Sequence, residues 1–200
     1  MLLLIDNFDS FSHMLADLLR QTGEELLVVR NDCSPEELFH LPISGLVLSP
    51  GPGTPKYANN LLQILAYFHD KVPVLGVCLG HQAIGEFFGA KLVKNGVPTH
   101  GKVHSIRKVN RHVLTDSLPE EFKVTRYHSL QLEELPEDLS VLMQTMSGEI
   151  MAMAHRKLPI LGIQYHPEAY LTEFGLELVN NWVKLWVKSM KYQVAREPRF

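Results

Sequence analysis

Apolar residues fall in short continuous runs separated by segments of helical period, and this alternation predicts most of the first half of the chain. Met1 to Ile5, Glu25 to Arg30, Gly45 to Ser49 and Val74 to Val77 read as strands, the last with the unbroken apolar character of a strand covered on both faces. Between them, Phe11, Met14, Leu15, Leu18 and Leu19 recur at helical spacing, with Ser10 as an expected N-cap and Gly23 placed to end the segment. Ser34-Pro35-Glu36-Glu37 offers an N-cap, a proline at the first helical position and a capping-box glutamate before Leu38 and Phe39. Leu61, Leu62, Leu65 and Phe68 give a helical face within Tyr57 to His69, and Gln82 to Phe88 opens another helix.

After that helix the pattern changes. Lys91 to Val93, Lys102 to Ile106, Phe122 to Thr125, Leu139 to Gln144 and Ile150 to His155 are short strand-like runs, and Ser147-Gly148 suits a hairpin turn between the last two. Ile160 to Tyr165 is a further buried strand, and Leu178, Val179, Trp182, Val183 and Trp186 line one side of a terminal helix. The expected fold is therefore α/β: an open, mostly parallel sheet flanked by helices, with a smaller mixed or antiparallel sheet appended. Residues 1–190 are expected to form one domain, and Lys191 to Phe200, which lack periodicity, a loosely ordered tail.

Composition narrows the classes without choosing one. Hydrophobic residues make up 46% of the 200, enough for one sizeable core. A net charge of −3 without a clustered basic run argues against a nucleic-acid partner. The apolar start is interrupted at Asp6, too short for a signal peptide or membrane span, and the two cysteines have no close spacing, so a cytoplasmic protein without disulfides is expected. Cys33 carries no expected catalytic role.

Candidate chemistry starts at Gly76-Val77-Cys78-Leu79-Gly80, where a buried strand ends at a cysteine held between two glycines and a helix begins. This is the sequence of a nucleophile elbow: the glycines let the turn close and neighbouring backbone approach, while helix N–H groups and dipole favour a thiolate over a thiol. A cysteine ending an apolar strand is, by itself, more often an inert core residue. His166-Pro167-Glu168 follows another buried strand, and residues two apart in an extended segment share a side, so Glu168 can hold one imidazole nitrogen of His166 while the other faces a nucleophile. Pro50-Gly51-Pro52-Gly53 ends a third strand. Alone it reads as a structural turn, but glycine backbone can also bring N–H donors close to a developing oxyanion.

Taken together, Gly76 to Gln82, Ser49 to Pro55, Tyr127-His128-Ser129-Leu130 and His166-Pro167-Glu168 resemble the class I (triad-type) glutamine amidotransferases, in order and spacing, from about Leu2 to about Val187. Within the class, Ile5-Asp6-Asn7-Phe8-Asp9-Ser10-Phe11 is similar to the glutaminase subunit of anthranilate synthase and of aminodeoxychorismate synthase. The resemblance implies a catalytic triad of Cys78, His166 and Glu168, an oxyanion hole from the N–H groups of Gly51 and Leu79, and a glutamine site formed by Gly51, Pro52, Gly53, Gln82, Ser129 and Leu130. In that reading Ser129 and Leu130 hold the α-amino and α-carboxylate groups through their backbone. His128 receives no role. Ala169 departs from the family, where serine usually follows the His-Pro-Glu triplet.

The same resemblance implies L-glutamine as substrate and a chorismate-using synthase subunit (component I) as partner, in a heterodimer or higher hetero-oligomer, with Mg²⁺ bound on that partner and no cofactor in this chain. Arg30-Asn31-Asp32, His100-Gly101-Lys102 and Val124 to Leu130 lean toward the aminodeoxychorismate type, with the anthranilate type or a subunit shared by both as the alternative, and a γ-glutamyl thiol hydrolase acting alone as a further one. His100 and His104 lie four apart, a metal-like spacing, yet no carboxylate or cysteine completes a ligand set nearby, so no metal site is expected. Met143, Met146, Met151 and Met153 are expected to fill core gaps.

Overall fold

The computed structural model describes residues 1–95 and 99–190. Nine strands form one sheet in the order β2-β1-β3-β4-β11-β10-β9-β6-β7. These are β1 (Leu2–Asp6), β2 (Leu26–Arg30), β3 (Gly45–Leu48), β4 (Val74–Val77), β6 (Lys102–Lys108), β7 (Glu121–Arg126), β9 (Leu139–Thr145), β10 (Ile150–His155) and β11 (Ile160–Ile163). The five strands from β2 to β11 run parallel, and β10, β9, β6 and β7 continue the same sheet by antiparallel pairing. A separate two-stranded antiparallel sheet holds only β5 (Lys91–Lys94) and β8 (Leu130–Glu133). The expected α/β class is found. Most of the expected appended strands extend the main sheet edge to edge, and β8 was not among the expected strands.

Alternation along the parallel strands assigns the two faces. Leu2 and Leu4 bury on one side with Leu15 and Leu19 of α1 (Ser12–Arg20) and Leu178 and Trp182 of α5 (Gly175–Trp182). Leu3 and Ile5 bury on the other with Leu61, Ile64 and Leu65 of α3 (Leu61–Phe68) and Ala83 and Ile84 of α4 (Leu79–Phe88). Both faces of β1, β3, β4 and β11 are therefore covered, which is why these strands read as continuous apolar runs. Val183–Val187 continues α5 as a wide π turn and keeps Val183 and Val187 in the core.

Two expected caps differ. Helix α1 begins at Ser12, and Asp9 rather than Ser10 closes its start: the Phe11 N–H donates to Asp9 Oδ1 (2.8 Å) and the Ser12 N–H to the Asp9 carbonyl (3.1 Å). At the single turn α2 (Pro35–Leu38), Ser34 is the N-cap and Pro35 the first helical residue, but the Ser34 hydroxyl donates to the Glu36 carboxylate instead of capping the backbone. The segment Tyr57 to His69 is divided into a 3-10 turn at Pro55–Tyr57 and α3. The tail expected at Lys191 to Phe200 lies outside the described residues. Among the described residues no helix is long and apolar enough to cross a membrane.

Candidate active site

Three adjacent parallel strands, β3, β4 and β11, deliver the candidate residues to one end of the sheet. Leu48 pairs with Gly76 and Ile163 with Val77, so the Pro50-Gly53 loop, Cys78 and His166 leave neighbouring strands at nearly the same level. The Cys78 N–H donates to the Ile163 carbonyl (2.8 Å), fixing the elbow on the strand that carries His166. Cys78 has φ of 51° and ψ of −100°, an unusual conformation for a side-chain-bearing residue that persists only where its surroundings dictate it.

Those surroundings are the two glycines. A Cβ at Gly76 would lie 2.4 Å from the Gly80 carbonyl oxygen, and one at Gly80 would lie 2.3 Å from the Leu48 carbonyl oxygen. Helix, elbow and β3 thus pack backbone to backbone, as the Gly-x-Cys-x-Gly spacing predicts. The oxyanion candidates are built the same way: a Cβ at Gly51 would lie 2.5 Å from Leu79 Cδ2 and 2.6 Å from Asn7 Cβ. Among the described residues, neither the Gly51 nor the Leu79 N–H donates to an acceptor in the chain.

A buried polar network that the sequence reading did not single out anchors this loop. The Ser49 hydroxyl donates to the Pro50 carbonyl (2.7 Å) and accepts the Asn7 N–H (2.9 Å), and Asn7 Nδ2 donates to the Ser49 carbonyl (2.8 Å). Asn31 Nδ2 in turn donates to Asn7 Oδ1 (2.8 Å).

His166 and Glu168 come together as expected, by a different local route. They lie on a turn in which the Ala169 N–H donates to the His166 carbonyl (3.3 Å), not on an extended segment, and His166 Nδ1 is 2.7 Å from Glu168 Oε1. The other ring nitrogen, Nε2, is buried on the Cys78 side, where the sulfur's hydrogen bond and negative charge act on the ring. Burial opposes charge on this imidazole, but the sulfur of Cys78 and the carboxylate of Glu168 outweigh it and raise its pKa to about 10. The ring is enclosed by Phe11 (centroids 4.8 Å apart) and Tyr127 (5.1 Å), which limits access of water from that side. Ala169, the departure from the family, is 7% exposed; the hydroxyl that binds the His166 carbonyl comes from Thr172 (2.7 Å).

The expected substrate residues converge on one cavity of about 140 Å³, lined by Gly51, Pro52, Gly53, Cys78, Gln82, Tyr127, His128, Ser129 and Leu130. It is smaller than the pockets of about 300–1,000 Å³ that take drug-sized ligands, and fits a compact substrate. Larger surface clefts, of about 490 Å³ beside Lys108 and Arg111 and about 350 Å³ beside Lys102 and Arg126, are lined by no cysteine. Gln82 is 3% exposed, and its Nε2 hydrogens go to the Leu130 carbonyl and Gln164 Oε1 (3.2 Å each), leaving Oε1 as its free polar atom. Leu130 is similarly committed, its carbonyl accepting from His128 Nδ1 (2.8 Å) as well as from Gln82.

Further functional candidates escaped the sequence reading. Gln164, fully buried at the end of β11, donates to Cys78 Sγ across 3.7 Å. His81, next to the elbow, is fully buried against the Gly162 backbone, and burial pushes its pKa down to about 3, so it is neutral. His104, weighed in the sequence only with His100 for metal-like spacing, lies beside the Arg126 guanidinium (3.3 Å). Among the described residues no group of three or more His, Cys, Asp or Glu side chains is placed to hold a metal ion.

Residues 3–186 match the family model of the class-I glutamine amidotransferases. The chain is 48% identical over 187 residues to anthranilate synthase component 2 of Azospirillum brasilense, covering 92% of this chain and 95% of that protein. It is 41% identical over 193 residues to the aminodeoxychorismate/anthranilate synthase component 2 of Bacillus subtilis, covering 95% and 99%. A crystal structure described as a GMP synthase component from Thermoplasma acidophilum superposes with a TM-score of 0.86 at 26% identity, covering 98% of this chain and 97% of that one. With its cysteine elbow, its His–Glu pair and its glycine loop at one end of the sheet, the chain belongs to the class I glutamine amidotransferases.

Proposed function

We propose that this protein is the glutaminase subunit of a chorismate-using synthase, releasing ammonia from L-glutamine through a cysteine thioester. The observation that carries the reading is the arrangement around His166: one nitrogen on Glu168 at 2.7 Å, the other buried and turned to the Cys78 sulfur. An imidazolium held there stabilises a thiolate, and it carries the proton that departing ammonia requires.

The steps follow from these groups. Cys78 Sγ attacks the glutamine side-chain carbonyl, and the N–H groups of Gly51 and Leu79 bind the oxyanion. His166 protonates the nitrogen as the C–N bond breaks, leaving a γ-glutamyl thioester and ammonia. His166, now neutral, takes a proton from water, which adds to the thioester; collapse releases glutamate and restores the thiolate–imidazolium pair. Glu168 keeps the ring oriented throughout. Gly51, Pro52, Gly53, Gln82, Ser129 and Leu130 hold the glutamine.

Three considerations support a partner that consumes the ammonia. The relatives named component 2 match nearly the whole chain. The sequence has no site signature for an ammonia acceptor. Large apolar side chains are also exposed on loops leaving the carboxyl ends of the parallel strands: Phe8 after β1, Tyr57 after the Gly51 loop, and Tyr170 and Leu171 after His166, Tyr170 being 95% exposed. We take this face to receive component I, with chorismate and Mg²⁺ bound on that partner. The favoured acceptor pathway is aminodeoxychorismate formation, from the segments at Arg30-Asn31-Asp32, His100-Gly101-Lys102 and Val124 to Leu130. The name of the Azospirillum brasilense relative favours anthranilate, and that of the Bacillus subtilis relative covers both.

The deciding experiment mixes the chain with glutamine, chorismate and each large subunit separately, and identifies the products. Product with only one of them assigns the pathway, and product with both makes this a shared component. Product with neither, while both large subunits still use free ammonia, overturns the partner assignment.

A further inference from the structure

Glu149 sits on the hairpin between β9 and β10, does not line the glutamine cavity, and yet is the point from which two adjacent residues of that cavity are held. Its carboxylate accepts two hydrogen bonds from Arg126 (2.9 and 2.6 Å), a bidentate pair with the guanidinium only 3% exposed. Arg126 Nε donates to His128 Nε2 (3.1 Å), which requires an unprotonated Nε2. His128 Nδ1 then carries the hydrogen and donates to the Leu130 carbonyl (2.8 Å). This fixes one neutral tautomer of His128, in keeping with burial and the nearby guanidinium lowering its pKa to about 4.

A second path leaves the same carboxylate. Asn95 Nδ2 donates to Glu149 Oε1 (2.7 Å), while the Asn95 backbone N–H donates to the Ser129 carbonyl (2.8 Å). Thr145 and Ser147 hydroxyls, each 3.3 Å from Glu149 Oε2, fix the carboxylate from its own hairpin. Glu149 thus reaches Leu130 through Arg126 and His128, and Ser129 through Asn95.

We infer that Glu149 is a positioning residue for the substrate: a partly buried Glu149–Arg126–His128 and Glu149–Asn95 brace sets the Ser129-Leu130 strip at the geometry that recognises glutamine, without touching the reacting atoms. The inference rests on the proposed glutaminase reading, because it needs Ser129 and Leu130 to contact the substrate. It assigns His128 a role the sequence left blank, and bears on substrate recognition first, since none of the brace's own hydrogen bonds reaches Cys78, His166 or Glu168 and the Leu130 carbonyl meets the Cys78 side only through Gln82 and Gln164.

The test compares two alkylating agents on Cys78 in the purified chain: a chloroketone analogue of glutamine, which must dock in the cavity, and iodoacetamide, which needs only the thiolate. In Glu149→Gln, the rate with the chloroketone is expected to fall about tenfold or more, as misplacement of a recognition element costs, while iodoacetamide changes less than about twofold. KM for glutamine is expected to rise with kcat largely kept. Asn95→Ala cuts one path only and is expected to show the same split at smaller size, which keeps the test open if Glu149→Gln does not fold. Equal losses with both reagents, or no loss with either, overturn the brace. If the unaltered chain reacts with iodoacetamide and not with the chloroketone, the glutaminase reading itself fails.

Discussion

The side-chain amide of Gln164 donates to the sulfur of Cys78 across 3.7 Å, and its orientation is set by Gln82, whose Nε2 donates to Gln164 Oε1 at 3.2 Å. An amide held this way presents N–H, not oxygen, to the sulfur, and can donate to the thiolate that the proposed mechanism requires. A hydrogen bond to a charged group contributes about 1.5–3 kcal/mol. Gln164→Leu is therefore expected to slow alkylation of Cys78 by iodoacetamide about tenfold or more at neutral pH, since about 1.4 kcal/mol is a factor of ten. An unchanged rate would show that the amide is only packing.

The elbow leaves no room for a methyl group. At Gly80 a Cβ would meet the Leu48 carbonyl oxygen at 2.3 Å, a backbone atom that cannot move without shifting β3 and with it the Gly51 loop. Gly80→Ala is expected to cost about 1–3 kcal/mol in urea unfolding and to reduce glutamine hydrolysis strongly. Gly23→Ala is the comparison: nothing lies within 4 Å of its Cβ position, although φ of 80° makes it strained, so stability falls but hydrolysis per folded molecule is kept. Equal effects on hydrolysis would refute the packing argument.

How far the site was legible follows from what kind of signal each part leaves. Cys78, His166 and the Gly51 loop end continuous apolar runs, and an apolar run that stops at glycine, cysteine or histidine marks the carboxyl end of a buried strand. The sequence could not say that β3, β4 and β11 are neighbours, which is what brings the three ends together. Nor could it join β10, β9, β6 and β7 to the main sheet, because short alternating strands carry no record of their partners. The Glu149 brace was hidden for the same reason: Asn95, Arg126 and Glu149 stand far apart in sequence and look like ordinary surface residues until their strands are placed. Asp9 rather than Ser10 closes the turn leading into α1 because its carboxylate reaches forward to the Phe11 N–H, a choice between neighbouring cap-forming residues that composition does not decide.

The Glu149–Arg126 pair predicts an acid limb of stability. Burial would raise the Glu149 pKa, but hydrogen bonds from Arg126 and its positive charge prevail and hold it down at about 2, against an ordinary 4.5. A carboxylate with a depressed folded-state pKa adds stability that is fully present above about 4.5 and disappears as pH falls through about 2. Glu149→Gln lacks that contribution at every pH. The gap in thermal midpoint between the unaltered chain and Glu149→Gln is therefore expected to be constant near neutrality and to narrow from about pH 4.5 toward pH 2. A gap that stays constant over that range would mean that the charge of Glu149 adds nothing to the fold.

The His166–Glu168 pair makes the opposite prediction, on activity at alkaline pH. His166 is buried, which alone would lower its pKa; the Cys78 sulfur and the Glu168 carboxylate together raise it to about 10. If the reactive form is thiolate with imidazolium, hydrolysis of glutamine persists until His166 loses its proton, so its alkaline limb belongs near pH 10. Glu168→Gln keeps a hydrogen-bonding oxygen at the same place and removes the charge. The imidazolium is then held by Cys78 alone, and the alkaline limb is expected to move toward neutrality, with kcat lower by about 10²-fold or more from a poorly oriented acid. Steady-state rates from about pH 6 to beyond the limb near pH 10 for both forms test this. A lower kcat with the limb unmoved would assign Glu168 to orientation only; a limb that shifts together with kcat ties the proton that ammonia receives to the Glu168 charge.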